Sequence, residues 1–449
     1  MRRSGNDLRG AMNFGDAASV KRLEGFFEMI GAVLGSATRR ASFATYAMGI
    51  LSDAERKSAE PLAARATASP ERADAEHQRL LHFLVDSKWS DQEVRRAAAQ
   101  YALGVMSARE PIEAWILDDT GFLKQGKHSV GVQRQYTGSA GKVTNCQVGV
   151  SLTIASRTEQ LPVDFELYLP DNWANDPALR KEGRIPEHVV FKTKPELGLQ
   201  MIERAIDAGV SKAIILADAG YGTSKEFRAR LQELALDYAV GVNCKTKARL
   251  LGKDGIPFGK FYSLKNLASQ LDAKGAFRRC TWRQGTQGPL TARFARRQIQ
   301  VSKDEIATLL IEWRDGEPEP ANYFFIAITG LKSTKQLVRL VMQRWRIERT
   351  YQDLKGELGL DHYEGRRFPG WHHHISVVLC CYSFILAEKN RHFPPSARGS
   401  PARYPNSLSS GAPLQRQLHH CSSCGLSLHR ELASALPELP SEAPAALTQ

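Results

Sequence analysis

Three short stretches carry residue types that can do chemistry. In "RWRIERTYQDLK", positions 344–355, Glu348 stands alone among Arg344, Arg346 and Arg349, with Lys355 further on. "AWILDDTGF" is an apolar run ending in Asp118 and Asp119, and "KAIILADAGYG" is another ending in Asp218. Carboxylates are hard oxygen ligands for divalent cations, and guanidinium groups grip phosphate. The combination points to a cation held by acids beside a phosphate held by bases. At the helical period, Arg344, Glu348, Tyr351, Gln352 and Lys355 share one face. Ile347, Leu354 and Leu358 form an adjacent stripe able to dock onto a sheet. A solvated helix laced with ion pairs, Arg344 to Glu348 first, has the same look. Two features weigh against that reading: two strand-end aspartates lack a third oxygen ligand, and Trp345 is unusual in a solvated stretch.

The elements that must position these acids are readable from periodicity. The run ending at Asp118 has the pattern of a buried strand. "NCQVGVSLTIAS" alternates Val148, Val150, Leu152 and Ile154, and "LPVDFELYLP" alternates Val163, Phe165, Leu167 and Leu169, so both are strands. A helix is expected over 195–208, a strand ending at Asp218, a second helix capped by Thr223 and Glu226, and then the strand "DYAVGV". Three antiparallel strands followed by parallel βαβ units give an α/β architecture with a mixed sheet flanked by helices. That order is the ribonuclease-H-like one, in which the strands ending at Asp118 and Asp218 are neighbours.

Around this core, residues 1–110 read as an all-helical module suited to DNA binding. Ser52 with Glu55 and Ser90 with Glu93 fit capping boxes, and Ser69-Pro70 fits a helix start. The core is split into 111–242 and 333–392 by a β-rich insertion at 243–332. One helix from Ser333 to Gly356 is expected to carry Glu348. Eight of the 21 prolines fall in the last 58 residues, so 393–449 reads as a loosely structured tail.

Taken together, "RWRIE" with Lys355, "DDTG", "KQGKHSVGVQRQYTGSAGKVTN" and "ADAGYG" resemble the DDE transposases of the bacterial insertion-sequence class, the cut-and-paste type with a β insertion before the glutamate. The resemblance covers about 110–392, with a weaker likeness in the helical N-terminus. It implies that Asp118, Asp218 and Glu348 are catalytic and hold two Mg²⁺ (or Mn²⁺) ions; Asp119 is the alternative to Asp118. It also implies that Arg344 and Lys355 accompany the glutamate. Where the wider signature has a tyrosine three residues before the arginine, this chain has Val341. Two metal ions about 3.5–4 Å apart activate the attacking oxygen and stabilise the leaving one, which leaves positioning and electrostatics to the protein. The expected reaction is cleavage at the inverted-repeat ends of the element, freeing a 3′-hydroxyl that attacks target DNA. Joining two ends implies a homodimer on DNA. One rival is an inactive, transposase-derived DNA-binding protein; another is a host nuclease of the same fold, which would cut without specific ends.

Charge agrees with a polyanionic partner. There are 61 Lys and Arg against 48 Asp and Glu, a net charge of +13 and a pI near 9.4. No apolar run spans a membrane, the first residues lack a secretion signal, and seven scattered cysteines suit a reducing compartment. A cytoplasmic, nucleoid-associated bacterial protein is the expectation. Further DNA contacts are expected from Arg346 and Arg349 beside the metals, and from Lys124, Lys127 and Arg134 in a basic hairpin after the first strand. Trp282, Trp313, Tyr323, Phe324 and Phe325 in the insertion are candidates for stacking on a flipped base, although core packing explains most of them. Cys421 and Cys424 with His419, His420 and His429 have an irregular zinc-like spacing. His372 to His374 read as the solvated start of an apolar helix.

Overall fold

The computed structural model describes residues 17–392, apart from Ala68, 286–287 and Leu331. The proline-rich tail and its cysteine–histidine motif lie outside the described residues.

Five helices come first: α1 (Ala17–Leu34), α2 (Ala37–Leu51), α3 (Ala59–Ala66), α4 (Pro70–Val85) and α5 (Asp91–Arg109). Ser90 caps α5 through the Glu93 amide, and Pro70 opens α4, both as expected. Ser52 does the opposite of what its spacing suggests. It closes α2, its amide bonded to the Gly49 carbonyl.

The strands and helices that follow are β1 (Ile112–Leu123), β2 (Gln133–Thr137), β3 (Lys142–Ser156), β4 (Gln160–Tyr168), α6 (Asp171–Asn175), α7 (Pro177–Gly183), α8 (Lys194–Asp207), β5 (Ile214–Ala217), α9 (Ala219–Gly222), α10 (Lys225–Glu233) and β6 (Tyr238–Gly241). Thr193 and Glu196 form a reciprocal capping box on α8. The α10 cap is Ser224, one residue beyond the expected Thr223. Segment 243–332 supplies β7 (Lys247–Leu250), β8 (Tyr262–Ser263), α11 (Leu264–Ala273), β9 (Arg278–Gly285), β10 (Gly288–Ser302), β11 (Glu305–Trp313) and β12 (Asn322–Ala327).

All twelve strands join one sheet in the order β2-β3-β1-β5-β6-β12-β11-β10-β7-β8, with β4 on β3 and β9 on β10. β1, β5 and β6 run parallel, as βαβ connections require, and the other pairings are antiparallel. The β-rich segment therefore continues the core sheet through β12 on β6. A buried ion pair adds a second tie: Arg228 of α10 donates to Glu305 of β11 at 2.6 and 2.9 Å.

The expected single helix from Ser333 is broken. Ser333 and Gln336 cap α12 (Thr334–Val341), a 3₁₀ turn occupies Met342–Trp345, and α13 (Arg346–Leu358) follows, closed by Gly359 at φ 66°. Helix α14 (Phe368–His392) packs against α5, α2, α4 and β4. His372, His373 and His374 are buried in it, not solvated. They are tolerated because each ring finds a partner: Glu166 for His372, the Leu84 and Trp89 carbonyls for His373, Tyr46 and the Gly359 carbonyl for His374.

Two polar joints fasten the helical module to the sheet. Arg95 of α5 donates to Asp164 of β4 at 3.1 Å and to Asp91, while Arg204 of α8 shares Asp164 and Glu166. The buried Lys57 ammonium donates to the carbonyls of Ile50, Ser52 and Glu357 at 2.5, 2.8 and 2.7 Å, linking α2 to the end of α13. Among the described residues, no helix is long and apolar enough to cross a membrane.

Candidate functional site

Trp115, Ile116 and Leu117 are fully buried in the middle of the sheet, which pins β1 in register. Parallel pairing aligns Ala114–Leu117 with Ile214–Ala217, so Asp118 and Asp218 are the next residues on adjacent strands. Sheet register thus brings together two acids that are 100 positions apart. β5 ends there, and the Asp218 side chain caps the short α9 by accepting from the Gly220 amide at 2.9 Å. The backbone approach at this turn requires glycine. A Cβ on Gly241 would lie 2.9 Å from the Ala219 nitrogen and 3.0 Å from the Asp218 carbonyl carbon, and one on Gly222 would lie 2.2 Å from the Gly241 oxygen.

α13 docks through Ile347, Leu354 and Leu358, all fully buried, as the apolar stripe anticipates. Tyr351 is buried as well, its hydroxyl 2.7 Å from that of Ser151, the cross-strand partner of Asp118. Glu348 remains exposed in the first turn of α13.

Asp118 is 9% exposed. Its Oδ1 accepts from the Asp119 amide at 2.8 Å, and its Oδ2 accepts from Arg344 Nη1 at 2.6 Å. Burial pushes its carboxyl up to about 7, against the pull of Arg344 and with help from the negative charge of Asp218. Arg344 is raised in turn: the fields of Asp118, Asp218 and Glu348 outweigh its own desolvation. One guanidinium therefore senses all three acids. The Arg344–Glu348 ion pair expected from helical spacing is replaced by Arg344–Asp118 because the 3₁₀ turn takes Arg344 off the α13 face.

Asp119 has a different partner, with Lys194 Nζ at 2.9 Å. Lys194 opens α8 and also lies 5.8 Å from the Tyr168 ring centroid. Nothing in the local sequence marks this lysine, whose partner is 75 residues away. Among the described residues, no three His, Cys, Asp or Glu side chains form a ready-made cage for an ion. Arg344 is ion-paired with Asp118 and lies in the field of Asp218 and Glu348.

The other predicted cations divide by location. Arg346 donates to the Ser156 carbonyl at 2.8 Å, and Arg349 faces Asp353 at 3.4 Å. Lys355 donates to the Gly121 carbonyl at 2.6 Å, and Lys124 to the Tyr363 carbonyl at 2.6 Å. Arg346, Lys355 and Lys124 are thus half-buried and bonded to main-chain carbonyls, whereas Lys127 and Arg134 are exposed. Tyr323, Phe324 and Phe325 are buried in the sheet, and Trp282 and Trp313 pack on Phe294 and Phe277. Trp345, beside Arg344, is the exposed aromatic here, 39% accessible, with Arg283 stacked 4.0 Å away.

A further basic surface lies on 245–262. Lys245, Lys247, Lys253 and Lys260 are exposed and Arg249 half-buried, interleaved with exposed Ile256, Phe258, Phe261 and Tyr262. The signal was present in the sequence: five cations against Asp254 alone between 243 and 263.

A family model described as "DDE superfamily endonuclease" matches residues 30–289, a span that contains both aspartates and stops before Glu348. A protein of Microchaete diplosiphon described as "Probable transposase for insertion sequence element IS701" is 30% identical over 201 residues, which are 44% of this chain and 50% of that protein. The chain therefore spans about half the length of this curated relative.

Proposed function

Because the chain belongs to the DDE superfamily endonucleases, we propose that it is a DNA transposase that cuts at the inverted-repeat ends of its insertion sequence and joins the freed 3′ end to target DNA. The observation that carries this reading is the parallel register that sets Asp118 beside Asp218, with Arg344, four residues before Glu348, bonded to Asp118 at 2.6 Å. Asp118 comes from within β1, Asp218 from just past the end of the parallel β5, and Glu348 from a docked helix, an arrangement that a ribonuclease-H-like core would use.

The donor set fits divalent Mg²⁺ or Mn²⁺. Three carboxylates offer hard oxygens, and burial pushes the Asp118 carboxyl up to about 7 even with the Arg344 guanidinium beside it. Asp118, Asp218 and Glu348 would hold the metal; bound there, two ions would supply Lewis-acid stabilisation of the attacking and leaving oxygens. The protein's own contribution is positioning. Tyr351 and Ser151 fix α13 against β3, beside the Asp118 strand. Lys194 ion-pairs with Asp119. The cations of 245–260, with Lys127 and Arg134, extend a path for duplex phosphates. Two ends must be joined, so the working form is a homodimer on DNA, in the bacterial cytoplasm.

Nicking of a supercoiled plasmid carrying the element ends tests this, with Mg²⁺ or with EDTA. Asp118→Asn, Asp218→Asn and Glu348→Gln should each lose about a hundredfold or more in rate while still binding end DNA. Metal-dependent nicking that survives in Glu348→Gln would remove the glutamate from the site.

A further inference from the structure

We propose that Arg344 holds the place of the first divalent ion: the guanidinium and the ion bind Asp118 in mutual exclusion, and loading the site hands Arg344 to a DNA phosphate. The inference rests on the metal-site reading above and adds an order to its assembly.

Of the two Asp118 oxygens, Oδ1 is occupied by a backbone amide that any side-chain rearrangement leaves in place. Oδ2 accepts from Arg344 at 2.6 Å. Arginine cannot resolve a conflict with an incoming cation by losing its proton. Two cations drawn to one carboxylate oxygen repel each other, so the ion and Arg344 compete for Oδ2.

The structure gives Arg344 a way out. Its side chain is 30% exposed, and its backbone lies in the 3₁₀ turn Met342–Trp345, outside the hydrogen-bonded frame of α13. The released group presents five N–H donors in a planar fork, the geometry that grips a phosphate through two oxygens. Coupling of this kind is reciprocal: DNA that captures Arg344 must tighten metal binding by the factor with which metal tightens DNA.

The test reads metal affinity without turnover. Mn²⁺ is titrated into the full chain and followed by electron paramagnetic resonance, first without DNA and then with a short end duplex. Arg344→Gln should bind Mn²⁺ about tenfold tighter than wild type without DNA, the equivalent of one charge-assisted contact no longer in competition. Arg344→Lys, which keeps the charge, should fall between them and serves as the readout if the glutamine variant fails to fold. DNA should tighten Mn²⁺ binding in wild type and leave Arg344→Gln unchanged. Equal or weaker Mn²⁺ binding by Arg344→Gln, with Asp218→Asn abolishing binding, would overturn the exclusion and leave the metal site standing. Wild-type Mn²⁺ binding in both Asp118→Asn and Asp218→Asn would overturn the metal site itself.

Discussion

Gly241→Ala tests whether the Asp218 turn is set by backbone clearance. The new methyl carbon would lie 2.9 Å from the Ala219 nitrogen and 3.0 Å from the Asp218 carbonyl carbon, where ordinary contact begins at 3.4 Å. Both obstacles are backbone atoms, so no side chain can swing aside. The turn must retreat by about 0.5 Å, carrying the Asp218 carboxylate with it. Overpacking of this kind costs about 1–3 kcal/mol. A displacement of 1 Å can cost on the order of a hundredfold in rate, so half of that should cost about tenfold. The assay pairs a melting curve with metal-dependent plasmid nicking. Gly104→Ala is the control, since Gly104 is an exposed position of α5 with nothing within 4 Å of a new Cβ. It should raise stability by about 0.5–1 kcal/mol and leave nicking unchanged. A Gly241→Ala protein that melts and nicks like wild type would refute the argument that this glycine sets the aspartate.

Two further outcomes follow from the same geometry. Gly359 offers only an oxygen to His374 Nε2 at 3.0 Å, so that nitrogen carries the proton and Nδ1 accepts from Tyr46 at 2.9 Å. Burial lowers His374 from 6.5 to about 4, so the unfolded chain binds the extra proton first. Stability should fall as pH drops from 6.5 towards 4, by roughly 3 kcal/mol at most. Urea midpoints across that window should show a shallower slope in His374→Gln, and an unchanged slope would count against the assignment. Lys253→Gln with Lys260→Gln should weaken end binding and reduce the salt slope of log K by roughly 2, at about 0.9 for each phosphate no longer neutralised. An unaltered slope would place this surface off the DNA.

Local pattern revealed much of the site. The apolar run stopping at Asp218 marked the end of β5, because buried parallel strands read as continuous hydrophobic stretches; the one before Asp118 did not, since β1 runs on to Leu123 by pairing with β3. The spacing of Ile347, Leu354 and Leu358 marked the docking stripe of α13. Where pattern failed, the deciding partner lay far away in sequence. His372 to His374 looked like a solvated helix start because their partners on β4, on α2 and α4, and in the loops ending at Trp89 and Gly359 cannot be seen from within the triplet. Ser52 matched an N-cap signature and yet closes a helix, since spacing alone does not say on which side the helix lies.

By itself, then, the sequence determined which acids, bases and glycines were available, and which stretches would be strand or helix, since those follow from side-chain type and short-range period. Tertiary structure decided who meets whom. Parallel register set Asp118 beside Asp218, a 3₁₀ break moved Arg344 from Glu348 to Asp118, and the start of α8 delivered Lys194 to Asp119. Such pairings arise only when strands and helices from distant parts of the chain are packed against one another, because each depends on a distance that no local periodicity encodes.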